Sequence, residues 1–237
     1  MMGQRIWSGE ASAARRHRTP VPVRYHLLAY SRDHLWLPAG IWAVFALLAG
    51  AAPVERPDQM GATFLGLVLP LLAGVLVASS LLDDPALELQ FTMPRRARRL
   101  LLERLALLLG IVALGAITYQ AFLALAGVDL SFYGGLLQRQ ALWLVPSLAM
   151  LGVGSALALA TAQSTVAAML TGLLWLGQIL MRHLLIGSPW ARHLFLFAGF
   201  FRPGSHHLTW TYLCLVGLAG LLIALAARAL ERQERYL

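Results

Sequence analysis

The side chains able to do chemistry are few, and they fall into three groups. Four histidines, His183, His193, His206 and His207, lie in or beside one connection between apolar runs. They are spread along an aromatic stretch without nearby carboxylate or cysteine, whereas metal sites declare themselves by tight spacing and mixed ligands, so no metal is expected here. Asp83 and Asp84 are adjacent and would point to different sides of a helix, so they cannot form a metal-binding carboxylate pair. Ser155 stands among small residues in Gly152-Val153-Gly154-Ser155-Ala156 and is a nucleophile only if a histidine reaches it. Gly154, Ala158 and Ala162 repeat at four-residue spacing, as do Gly152, Ala156 and Ala160, and that pattern predicts close helix packing instead. No catalytic residue is therefore assigned.

The elements that must position these groups are set by lipid. The chain has 237 residues, 59% hydrophobic and only 13% charged, and a soluble domain carries about twice that share of charge. Lipid offers no partner to backbone N–H and C=O groups, so spanning segments are helices or closed barrels. The apolar runs here are far longer than barrel strands of about 10 residues, which leaves helices. All 19 basic residues are Arg. Without a lysine no Walker A phosphate loop can exist, so an ATP-driven process would need ATP bound by another chain. The single cysteine, Cys214, lies in an apolar run and offers neither a disulfide nor a cysteine metal site.

Six apolar stretches approach 20 residues: Leu37 to Pro53, Gly61 to Leu82, Leu105 to Ala126, Ala141 to Ala162, Thr165 to Ile186, and Leu208 to Ala227. The fourth and fifth are separated only by Gln163 and Ser164. The expected fold is thus an all-α integral membrane protein with a six-span domain over 37–227. Arg5, Arg15, Arg16, Arg18, Arg24, Arg32, Arg95, Arg96, Arg98, Arg99, Arg104, Arg228, Arg232 and Arg235 fall on one side of that arrangement, and Arg56, Arg139, Arg182, Arg192 and Arg202 on the other. The positive-inside rule then puts both termini in the cytoplasm. Residues 1–20 lack the apolar core of a signal peptide and read as a basic tail, as do residues 228–237 at the other terminus.

Two further segments have a character of their own. Residues 21–36 place Val23, Leu27, Tyr30 and His34 near one helical face, the pattern of an interfacial helix, with a plain loop as the alternative. Residues 187–207 carry Trp190, Phe195, Phe197, Phe200 and Phe201, and predict a re-entrant or interfacial hairpin before the last span. No span has a chain of ionisable residues, which disfavours an ion-coupled transporter.

The stretch from Leu82 to Arg104 is the most informative. Pro85 suits a first helical turn and Pro94 stops one, which frames a short helix over about 86–92. Leu87, Leu89 and Phe91 are its apolar residues and Glu88 its carboxylate, followed by Arg95, Arg96, Arg98 and Arg99. A positive-inside loop on anionic headgroups accounts for the arginines, but an exposed apolar helix usually has a partner. Arg99 and Glu103 are spaced for an i,i+4 pair.

In layout, and in the sequence Glu88-Leu89, Met93-Pro94 and the Arg run, the chain resembles the permease subunits of bacterial type-2 ATP-binding-cassette (ABC) exporters. The resemblance implies that Leu87, Glu88, Leu89, Phe91, Met93, Pro94, Arg95 and Arg96 form a coupling helix and its flank that dock on a separate ABC ATPase, two per complex. It also implies a second permease copy or homologue, a bacterial inner-membrane location among membrane lipids, and a path near Thr171, Trp175 and Gln178. On this reading the cargo is amphipathic, lipid-like or drug-like. The chain itself has no cofactor, ATP and Mg belong to the partner, and no nucleic-acid partner is expected. Two alternatives stand beside it: an intramembrane hydrolase or transferase using Ser155 and a histidine, and a non-catalytic scaffold subunit of a membrane complex.

Overall fold

Residues 32–51, 57–82 and 97–233 are described in the computed structural model of the chain, and every regular element among them is helical. The chain runs through α1 (Arg32–Ala51), α2 (Pro57–Thr63), a π-helical turn (Phe64–Val68), α3 (Leu69–Leu82), α4 (Ala97–Leu125), α5 (Leu136–Thr161) and α6 (Ser164–Leu180). Short helices α7 (Arg182–Gly187) and α8 (Ala198–Phe201) follow, then the long α9 (Leu208–Gln233). Residues 1–31 fall outside the description, and so do 83–96, which include Leu87, Glu88, Leu89, Phe91, Met93, Pro94, Arg95 and Arg96. The described part of the 21–36 segment, from Arg32, is already the start of α1 and runs through Pro38 without a break.

Among the described residues four helices are long and apolar enough to cross a membrane: Asp58–Leu82, Arg98–Leu125, Leu136–Thr161 and Leu208–Leu230. Trp36–Gly50 and Ser164–Leu180 are apolar but shorter. A helix of 17 residues, as α6 is, extends about 25 Å, less than the hydrocarbon thickness of about 30 Å. The closely spaced boundary between the fourth and fifth apolar runs is a tight turn. Ala162 takes a left-handed conformation with φ 52°, its N–H donates to the Ala158 carbonyl at 3.0 Å, and Gln163 is extended before α6 begins.

The spanning helices divide into an inner pair and a periphery. The apolar window of Asp58–Leu82 is 72% buried and that of Leu136–Thr161 67%, against 28% for Arg98–Leu125 and 22% for Leu208–Leu230. Since lipid is as apolar as leucine, the inner pair is held by close packing rather than by exclusion from water. Glycine makes that possible. A methyl group on Gly154 would overlap the Gly74 carbonyl oxygen and stand 2.6 Å from Val77 Cγ1, so α3 and α5 touch backbone to backbone. Two residues earlier, on the opposite side of the helix, Gly152 faces α9, where a methyl would lie 3.1 Å from the Ala219 carbonyl oxygen. The predicted packing role of this small-residue stretch is therefore seen at Gly152, Gly154 and the fully buried Ala158, while Ala160 and Ala162 are exposed.

An aromatic cluster joins α1 to this centre. Tyr119 of α4 lies 4.2 Å between ring centroids from Phe64 and 6.2 Å from Trp42, and Phe45 lies 5.3 Å from Phe64. Near the other end of α4, the Arg99 Nε donates to Glu103 Oε1 at 2.8 Å, the i,i+4 pair that the spacing predicts.

Candidate functional site

Two places combine polar groups with unusual backbone: the π-helical turn facing α6, and the cap that residues 182–207 form at one end of the bundle. The first follows from Pro70. Proline has no N–H to give to the carbonyl four residues back, and its ring collides with that carbonyl. The chain widens by one residue here, with Leu69 N–H donating to the Phe64 carbonyl in an i to i−5 bond. Such turns release carbonyls from the helical ladder and mark bending points. A side chain distant in sequence meets one of them: the Trp175 indole Nε1–H donates to the Leu67 carbonyl at 2.9 Å.

Trp175 belongs to a face of α6 built from Thr171, Trp175 and Gln178, the three residues that the exporter resemblance puts near a path. Their spacing of four and three places them on one side of the helix. Thr171 is fully buried, donates to its own helix at the Ala167 carbonyl (2.7 Å), and fits its methyl against Gly74. Gln178 accepts from the Leu196 backbone N–H at 3.2 Å, tying α6 to the cap. All three thus use their polar atoms inside the chain, Thr171 within α6, Trp175 on the π-helical turn and Gln178 on the cap.

The cap is built on an apolar base. Phe195, Leu196 and Phe197 are buried, Phe195 lies 5.8 Å from Phe201, and Phe200 stacks on Tyr133 at 6.3 Å. That stacking places the 126–135 connection and the cap at the same end of the bundle. In that connection Asp129 accepts from the Ser131 backbone N–H (2.8 Å) and hydroxyl (2.6 Å). The Ser131 hydroxyl and amide, followed by the Arg139 charge, hold its carboxyl below the usual carboxylate range. Burial and the nearby Asp58 charge push the Tyr133 phenol up. On the cap itself Arg182 lies over the Phe201 ring at 5.2 Å, Arg192 Nε donates to His193 Nε2 at 3.4 Å, and the His193 and His207 rings are 6.3 Å apart.

Ser155 is buried and its hydroxyl donates to the Gly152 carbonyl of its own helix at 3.0 Å. It lies about 28 Å along α5 from the helix start, near which the cap and its histidines sit. Among the described residues, the cap's histidines and Ser155 are therefore far apart. Among the described residues no three His, Cys, Asp or Glu side chains are grouped as a metal site.

The sequence reading passed over one polar link. Gln140 Nε2 donates to Gln120 Oε1 at 2.9 Å, and Trp143 Nε1 donates to Gln140 Oε1 at 2.8 Å, which joins α4 to α5. The spacing of Gln140 and Trp143 on one helical face was the available signal. The π-helical turn was foreshadowed only by Pro70 within an apolar run. No family model matches the chain, and no curated protein or solved structure is significantly similar to it.

Proposed function

We propose that the chain is the membrane-embedded permease half of an ATP-driven exporter of the type-2 ABC kind, with nucleotide hydrolysed on a separate subunit. On this reading α1 and α6 complete six membrane passes, residues 83–96 and both termini face the cytoplasm, and the cap faces outward as the hairpin before the last pass. Glu88, Phe91 and their neighbours dock on the ATPase, ATP and Mg are bound there, and an amphipathic or lipid-like compound is moved. Two such chains, or this one and a homologue, form the complex.

One observation carries the proposal. The docking segment joins the end of α3, the most enclosed spanning helix, to the start of α4, and Arg104 of α4 donates to the Ser80 carbonyl of α3 at 2.9 Å. The two helix ends are clamped across the connection, so a force applied to residues 83–96 is delivered to the centre of the bundle. Farther along the same helix lies the π-helical turn, a place where a helix bends at low cost. The absence of lysine adds that any ATP must be bound elsewhere.

The test is to purify the tagged chain from its native membrane and to measure transport with the Phe91→Asp variant. An equimolar Walker-containing ATPase and a transport loss of at least tenfold, with membrane insertion intact, are expected. Normal transport in that variant, or a complex without a nucleotide-hydrolysing subunit, would overturn the proposal.

A further inference from the structure

The cap carries charge of one sign only. Residues 182–207 hold Arg182, His183, Arg192, His193, Arg202, His206 and His207 and not one Asp or Glu. Among the described residues no carboxylate comes to them, and Arg182, Arg192 and Arg202 have no ion pair there. The carboxylates that the described residues place at this end are Asp129, taken by Ser131, and Asp58, beside Tyr133.

At one corner the donors converge. Arg192 spends its Nε–H on His193 Nε2, and an imidazole that accepts at Nε2 keeps its proton on Nδ1. That Nδ1 lies buried beneath the corner and meets no acceptor among the described residues. The exposed His207 ring stands edge-on to the His193 ring at 6.3 Å, and the remaining guanidinium N–H groups of Arg192 have no partner among the described residues. A corner made of donors, with no anion of its own, matches the oxygens of a phosphate group.

The surroundings say where that phosphate comes from. The spanning helices α5 and α9 begin at this end, α4 ends there, and Trp190, Leu194 and Leu184 of the cap are 85%, 50% and 73% exposed. Exposed tryptophan and leucine interleaved with arginine at the end of membrane-length helices is the composition of the headgroup layer. We propose that the Arg192–His193–His207 corner binds the phosphodiester of an anionic membrane lipid in the leaflet where the cap lies. This site is independent of the exporter reading and would hold in a membrane protein of any function.

The experiment uses the full chain in nanodiscs with photoactivatable analogues of phosphatidylglycerol and phosphatidylcholine, and maps crosslinks to residues 188–207. A strong preference for the phosphatidylglycerol analogue is expected. Arg192→Gln should lower the crosslink about fivefold, the effect of removing one basic group at a membrane surface. Arg192→Lys should restore most of it, and Arg228→Gln, on the exposed surface at the opposite end of α9, should leave it unchanged. Equal crosslinking by both lipids would mean immersion without a site and overturn the proposal. So would an undiminished crosslink in Arg192→Gln, or full displacement of the lipid by excess inorganic phosphate, which would make the corner a soluble-anion site.

Discussion

Gly154→Ala tests the central contact of the bundle. The added methyl would meet the Gly74 carbonyl oxygen inside contact distance and Val77 Cγ1 at 2.6 Å, while contacts below 3.0 Å are essentially unseen for a real Cβ. Val77 must therefore retreat by at least 0.4 Å, and the carbonyl, being backbone, moves only if α3 moves as a whole. Overpacking of this kind costs about 1–3 kcal/mol. The control is Gly172→Ala on α6, where a methyl has nothing within 4 Å, and where the better helix former should leave stability unchanged or raise it by up to about 1 kcal/mol. Both are measured by SDS-induced unfolding in mixed micelles. Adding Val77→Ala to Gly154→Ala should recover only part of the loss, because the backbone clash remains. Equal stability of Gly154→Ala and wild type, or an equal loss in Gly172→Ala, would refute the backbone contact between α3 and α5.

Two other outcomes follow from the site geometry. Trp175→Phe keeps an aromatic ring near Phe197 but removes the indole bond to the Leu67 carbonyl, so it should cost about 1 kcal/mol in the same unfolding assay and speed amide exchange around the π-helical turn. The Asp129 carboxyl titrates below its ordinary value of 3.8, so its hold on the 126–135 connection is complete above that pH and lost as pH falls through the lower, folded value. Protection of the Ser131 amide, corrected for intrinsic exchange, should accordingly persist at pH 5 and disappear in stronger acid, and Asp129→Ala should lack it at every pH.

The sequence by itself determined that this chain is helical and where four of its long helices lie. Gly61 to Leu82, Leu105 to Ala126, Ala141 to Ala162 and Leu208 to Ala227 each fall on a helix of spanning length, because lipid obliges a segment to satisfy its own backbone and so writes the span into local composition. The Arg99 and Glu103 pair was legible for a similar reason, being contained within one turn. Only tertiary structure decided which helices are inside. Helices that are apolar on every side carry no periodic signal of which face meets protein and which meets lipid, so the enclosure of α3 and α5 and the exposure of α4 and α9 could not be read from their sequences. The same holds for Trp175 and Gln178. Their type and spacing marked a shared helical face, but their partners, the Leu67 carbonyl and the Leu196 amide, are backbone groups that any residue could present.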